Sequence, residues 1–373
     1  MKLTNKTFSN HNRILLSGVP EGLDALALHQ LTKSDHSNTI LHIARDDTRL
    51  AILLDNLKIF SSKTKVFEFP GWDCLPYDRV SPNIEITGRR LNTLRKLTIF
   101  ESKIEDSGPL IILTTVNAIL QRVPPKTFFL NTVLTLTVGE TINSERLSNF
   151  LIQNGFNFTG TVRETGEVAF RGGIVDIFPA GSEKPVRLDL FGEKIENIKH
   201  FNPADQRSTQ EVHSCTIHPA REFILDSKTV SLFRSKYRQM FGDVTQDSLY
   251  EAVSEKKIYP GIEHWIPFLH NKMETLFDYL SKYIVTFDFK ADEVIKSRLK
   301  TIWDLYNSRH SFLVNPETNK TKSRAPIYYP LPPEDLYLTE LELTSTIRNL
   351  AKGWFTPFSS SNGTQISNYD VAC

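Results

Sequence analysis

Glu167-Val168-Ala169-Phe170-Arg171-Gly172-Gly173-Ile174-Val175-Asp176-Ile177-Phe178-Pro179, followed by Val186-Arg187-Leu188-Asp189-Leu190-Phe191-Gly192-Glu193, is the stretch that decides the fold. In its second piece Val186, Leu188 and Leu190 fall on one face at period two, and Arg187, Asp189 and Phe191 fall on the other. Gly192-Glu193 suits a two-residue hairpin turn with glycine first, leading into a further strand from Lys194. Residues 167–201 therefore read as a meander of short strands. With β-formers at 130–138 and a helix predicted over 144–154, they make a small α+β domain at about residues 129–218.

On the amino-terminal side the period changes. An apolar run at 13–17 is closed by Gly18, 23–31 has helical spacing, 39–43 is a second apolar run, and 50–60 is helical again. Residues 66–69 and 110–113 supply two more buried-type strands, and Leu91, Leu94, Leu97 and Phe100 mark one helix face. This alternation predicts a parallel sheet with crossover helices, an α/β fold. After Pro219 helices are predicted over 229–241, 264–280 and 291–308. Pro330-Leu331-Pro332-Pro333 reads as a boundary, 336–351 as a helix, and the polar stretch 356–364 as a fraying end.

The 373 residues are 40% hydrophobic and 23% charged, which excludes a disordered chain and leaves room for two or three domains. Lys and Arg number 44 against 43 Asp and Glu, so no global charge attracts nucleic acid or anionic membrane. Any polyanion must be met by a local patch. Cys74, Cys215 and Cys373 lie far apart, without zinc-ligand or disulfide-framework spacing, and a reducing cytoplasm is expected. Residues 1–12 lack the apolar core of a signal peptide, and no apolar run approaches the ~20 residues of a membrane span.

A strand closed by glycine and followed by a helix invites a search for a phosphate loop. The candidate, Ser17-Gly18-Val19-Pro20-Glu21-Gly22-Leu23-Asp24, has no lysine after Gly22 and brings two carboxylates to the helix start. A nucleotide loop needs that lysine and a hydroxyl for magnesium, so Gly18 and Gly22 read as a structural turn and no nucleotide hydrolysis is expected. No catalytic residue, metal site or cofactor is expected. His264 follows Glu263 with no second histidine at i+4, and reads as a satisfied structural histidine. The informative residues are Arg187, Asp189 and Phe191, with Arg171 on the adjacent strand. They form either an interaction surface, for which arginine and aromatics are the enriched types, or a cross-strand Arg187–Asp189 pair beside a packed Phe191.

Several motifs resemble the amino-terminal part of the bacterial transcription-repair coupling factors, Mfd. They are the 69–78 element Phe69-Pro70-Gly71-Trp72-Asp73-Cys74-Leu75-Pro76-Tyr77-Asp78, Arg89-Arg90-Leu91, the 166–191 stretch, Pro219-Ala220-Arg221-Glu222-Phe223, Glu263-His264-Trp265 and Leu331-Pro332-Pro333-Glu334-Asp335-Leu336-Tyr337-Leu338. The 171–179 element is also similar to the excision-repair protein UvrB. The resemblance implies a discontinuous UvrB-like, degenerate RecA-like domain in two segments, 6–128 and 219–339. Between them lies an inserted UvrA-binding-type domain at 129–218, and 340–373 follows as a poorly defined tail. It implies that the chain recruits UvrA to stalled transcription complexes, with Arg171, Arg187 and Phe191 as the contacts. Duplex DNA and the stalled RNA polymerase complex would be engaged through missing or separate domains. The family's translocase motor has no counterpart in these motifs, so an interrupted gene product or a fragment is expected. The alternative is a component that binds DNA directly through basic residues such as Arg89, Arg90 and Lys96, against a reading of these as a solvated helix face.

Overall fold

The expected run of strands and helices opens the chain as β1 (Arg13–Ser17), α1 (Asp24–Leu31), β2 (Thr39–Ala44), α2 (Asp47–Phe60), β3 (Lys65–Phe69), α3 (Ile84–Glu101) and β4 (Leu110–Thr115). Every residue of β2 and β4 is buried, as apolar runs covered by helices on both faces must be. The computed structural model describes residues 13–33, 37–60, 64–102, 108–242, 244, 247–314, 327–358 and 367–370.

After β4 the chain leaves this sheet and builds β5 (Leu134–Thr137), β6 (Asn157–Phe158), β7 (Glu167–Arg171), β8 (Ile174–Ile177), β9 (Val186–Phe191), β10 (Lys194–Phe201), β11 (Ser208–Glu211) and β12 (Ser214–Ile217). It then returns with β13 (Ile284–Phe287), β14 (Lys352–Phe355) and β15 (Ser367–Asp370). The first sheet has the order β15-β1-β14-β13-β2-β4-β3 with every pair parallel. β1 and β2, neighbours in sequence, are thus separated by two strands from the far end of the chain.

Two expectations need correction here. The tail reading of 340–373 fails for Lys352–Phe355, which is an interior strand between β1 and β13, preceded by a helix at Glu340–Ile347. Four residues that include Gly353 carry no readable period, and only their two neighbours define them. A helix over 264–280 is not formed. Short 3-10 turns at Ile262–Phe268 and Leu276–Tyr279 take its place, because Pro267 lacks a donor and Trp265 departs from helical angles. Residues 359–364 of the expected fraying end, residues 6–12 of the expected first segment and Cys373 lie outside the described residues.

The second sheet, β11-β10-β9-β8-β7-β6, is antiparallel except at β6–β7. Val168, Val175, Ile177, Val186, Leu188, Ile195 and Ile198 cover its inner face and pack with Leu147 and Leu151 of the helix Ser144–Gln153. Each such fully buried aliphatic stabilises by about 1.5–3 kcal/mol. This sheet docks on α3 by backbone contact. A Cβ on Gly88 would stand 2.3 Å from the Gly181 nitrogen, and Gly181 itself has φ +76°. Only glycine at 88 permits that approach.

A buried polar network ties the returning segment to the first. Arg90 Nε donates to Glu222 Oε1, Arg90 Nη1 donates to the Pro70 carbonyl (2.8 Å) and Gln121 Oε1 (2.9 Å), and Trp72 Nε1 donates to Glu222 at 3.2 Å. Within the returning segment Arg221 pairs with Glu263 at 2.6 Å. Neither Arg90 nor Glu222 is exposed at all, so each ion is held only because the other is present.

Candidate protein-interaction site

Two tight turns bring the predicted residues to one end of the second sheet. Gly172 and Gly192, each at φ +62°, are the first central residues of two-residue loops that pair Arg171 with Ile174 and Phe191 with Lys194. With glycine alone in the left-handed region, both turns match the strand twist. The register then sets the outer face: Ala169, Asp176 and Arg187 lie in one row across β7–β9, and Arg171, Ile174 and Asp189 in the next.

Asp176 is the residue that sequence reasoning missed. Its side chain is 0% exposed, and it accepts from Arg187 Nε at Oδ1 (2.7 Å) and from Arg187 Nη2 (3.0 Å) and Arg171 Nη2 at Oδ2. Arg187 also donates from Nη1 to the Gln206 carbonyl (3.1 Å) and lies 4.8 Å from the Phe201 ring centre. Its bond to Asp176 holds its pKa above the ordinary guanidinium value. Nothing in the spacing of Asp176 distinguishes it from other strand acids; only the β8–β9 register shows that it faces Arg187.

The expected cross-strand Arg187–Asp189 pair is not formed. Asp189 faces Lys199 instead, at 3.5 Å. Nor does Phe191 pack under a helix: it is 76% exposed at the tip of its hairpin. Arg187, at 15% side-chain exposure, is largely committed to Asp176, whereas Arg171, at 42%, keeps a free edge. The face thus offers an unpacked aromatic, a half-free guanidinium and a buried carboxylate that fixes both arginines.

The degenerate loop is closed by the protein itself. Gly18 N and Val19 N donate at 3.0 Å to the carbonyls of Phe358 and Thr356, just beyond β14. Asp24 accepts from Gly22 N (3.2 Å) and Ala25 N (2.8 Å) and pairs with the buried Arg49, whose Nε is 3.4 Å from Asp288. Glu21 binds Arg45 at 2.7 Å, which holds its carboxyl below the usual range. This ionic cluster fills the carboxyl ends of β1, β2 and β13, where open α/β sheets place ligands.

The remaining candidates sort by burial. His264 is buried and stacked on Tyr77, but it is not the satisfied histidine expected: neither ring nitrogen has a partner among the described residues, and burial brings its pKa down to about 4. Burial pushes Cys74 and Cys215 up to about 12, which removes thiolate reactivity at neutral pH. Arg90 is neither a phosphate contact nor part of a solvated face, being the buried partner of Glu222. Arg89 pairs with Glu68, and Lys96 lies over Phe67. Among the described residues no group of three His, Cys, Asp or Glu side chains is placed to hold a metal ion, and no helix is long and apolar enough to cross a membrane.

Residues 134–223 match the family described as the UvrB interaction domain, so the matched span contains the outer face just described. The transcription-repair-coupling factor of Haemophilus influenzae is 32% identical over 289 residues, 77% of this chain and 24% of that protein. That of Rickettsia conorii is 33% identical over 344 residues, 92% of this chain and 29% of that protein. The chain corresponds to the amino-terminal region of the transcription-repair-coupling factors. The factor of Escherichia coli is 31% identical over 318 residues, 84% of this chain and 26% of that protein. The chain therefore spans about a quarter of the length of these coupling factors. Its UvrB-like architecture agrees with that membership.

Proposed function

We propose that the chain is a non-catalytic recognition module that recruits UvrA during transcription-coupled repair. Phe191 supplies the apolar anchor, Arg171 a guanidinium for an acidic group on UvrA, and Arg187 the adjoining charge, with Asp176 holding both arginines in place. The observation that carries this reading is Phe191, a large ring left 76% exposed on the same sheet face as two arginines that share one buried carboxylate. Anchors of this composition dominate protein interfaces, and truncating one costs about 2 kcal/mol or more. Translocation along DNA and engagement of RNA polymerase belong, on this reading, to the other three-quarters of a coupling factor. The loop at Gly18 and Gly22 binds no nucleotide, and the cytoplasm is the site of action. We assign 129–218 to the inserted domain, with the discontinuous domain's second segment running from 219 through at least Phe355.

Titration of purified UvrA against the chain tests this. Phe191→Ala is expected to weaken binding about 30-fold while leaving stability within about 0.5 kcal/mol. Unchanged affinity in Phe191→Ala/Arg171→Ala refutes the assignment.

A further inference from the structure

Away from the meander, the helix Ser227–Phe241 carries Lys228, Arg234, Lys236 and Arg238 and no acidic residue, in a chain whose net charge is only +1. Val230, Phe233 and Tyr237 face the core, and Lys228, Ser231, Arg234, Ser235, Arg238 and Gln239 are exposed. Lys236 stands apart, its Nζ donating to the carbonyls of Pro267 and His270. Arg234 and Arg238 rest against the Tyr250 ring at 5.9 and 5.1 Å, and Arg234 Nε donates to the Tyr250 hydroxyl at 3.1 Å. The ring props both guanidiniums outward without neutralising them. Among the described residues no carboxylate comes within 4 Å of the charged nitrogens of Lys228, Arg234 or Arg238. At the helix's first turn Lys256 Nζ donates to Ser227 Oγ at 3.0 Å and extends the same positive surface.

Ser231, Arg234, Ser235, Arg238 and Gln239 form one open stripe on the solvent side of the helix. Guanidinium and hydroxyl donors without opposing carboxylates are the set that meets phosphate oxygens. From Lys228 to Arg238 the helix rises about 15 Å, which spans several phosphates of one strand. The row exposes no aromatic on which a base could stack, since Tyr250 lies beneath the guanidiniums, and this favours duplex over single strand. Nor does it carry an apolar anchor of the kind an acidic protein segment would need. We propose that this helix is a sequence-independent contact for the phosphate backbone of duplex DNA.

Fluorescence anisotropy of the full chain with a labelled duplex of about 30 base pairs, in 50 and 200 mM NaCl, tests the proposal. Three phosphate contacts predict a roughly 40-fold loss of affinity over that fourfold rise in salt. Arg234→Gln/Arg238→Gln should weaken binding at least about tenfold at low salt and shrink the salt effect to about 3- to 4-fold. Ser231→Glu/Ser235→Glu, at exposed positions, should give the same loss with the arginines intact. Lys272→Gln/Lys282→Gln, exposed on other elements, should bind as the unaltered chain does. The proposal is overturned if the chain does not bind duplex at 50 mM salt, or if both helix variants bind normally. It is overturned in favour of an acidic protein partner if polyglutamate of equal charge displaces the duplex at equal concentration.

Discussion

Replacing Arg187 with Gln should strand a buried charge, and the structure sets the size of the effect. Asp176 is fully buried and accepts from Arg187 at 2.7 and 3.0 Å, with Arg171 as its remaining partner. A hydrogen bond to a charged group contributes about 1.5–3 kcal/mol, so two of them represent about 3–6 kcal/mol. Water can enter at the partly exposed arginine edge and recover some of this, which leaves about 2–4 kcal/mol of lost stability. Asp176→Asn removes the charge and should cost a comparable amount, because two guanidiniums then face a neutral amide. Arg171→Ala should cost about 1 kcal/mol or less, since that side chain is 42% exposed and Arg187 still satisfies the carboxylate. The double variant Asp176→Asn/Arg187→Gln leaves no stranded ion, so its loss should fall short of the sum of the two single losses by about 1.5 kcal/mol or more. Urea unfolding of the four proteins, followed by tryptophan fluorescence, gives this coupling directly. A coupling below about 0.5 kcal/mol, or an Arg171→Ala loss equal to that of Arg187→Gln, would refute the claim that Asp176 organises the face.

Further outcomes follow from the packing and the burial. Gly88→Ala should destabilise by about 1–3 kcal/mol, because its Cβ would meet the Gly181 nitrogen at 2.3 Å and the Ala180 carbonyl carbon at 2.6 Å; an unchanged melting temperature contradicts the docking geometry. Burial holds His42, His264 and His270 at about 4, against an unfolded value near 6.5. The unfolded chain therefore binds more protons between those limits, and stability should fall as pH drops from about 6.5 to 4, at about 1.4 kcal/mol per unit of depression. A melting temperature level from pH 7 to 4 contradicts this. Leu23→Lys, which restores a lysine after Gly22, should confer no magnesium-dependent ATP binding in calorimetry, because Gly18 N and Val19 N already donate to the chain's own carbonyls.

What was legible in the sequence divides along one physical line. β9 could be read because one of its faces is buried, and burial writes a period of two into Val186, Leu188 and Leu190. β2 and β4 could be read because full burial writes a continuous apolar run. The position of Asp176 against Arg187 could not be read, since register is a relation between strands and neither strand alone contains it. Arg90 shows the same limit over a longer distance. On a helix whose other face is apolar it resembles a solvated charge, and only the return of the chain 132 residues later brings Glu222 against it. The helix expected over 264–280 fails for another cause: Trp265, Phe268, Leu269 and Leu276 meet helical spacing, but the first three turn into one aromatic core and Leu276, from a separate short turn, into the core under the parallel sheet.

These two kinds of residue explain why the family motifs are so specific and yet so little of them is available for binding. Trp72, Arg90, Arg221, Glu222 and Glu263 all belong to motifs; the first two meet Glu222 to join the segments that the insertion separates, and Arg221 and Glu263 pair within the second of them. A buried ion pair is a demanding way to make that join, because either partner without the other is worse than none, and so both must be kept together. The 166–191 motif is different. Its inner residues build a core that any antiparallel sheet on a helix requires, which frees the alternate positions from packing. On those positions the chain places Arg171, Arg187 and Phe191, together with Asp176, the buried acid that holds both arginines in place. The parallel sheet is sealed along the carboxyl ends of its strands. Its ligand-binding edge is closed by Thr356 and Phe358 carbonyls and by the Asp24–Arg49–Asp288 cluster, and the segment that closes it continues β14, the strand that completes the sheet. One stretch of chain thus both closes this edge and completes the parallel sheet from which the inserted sheet projects.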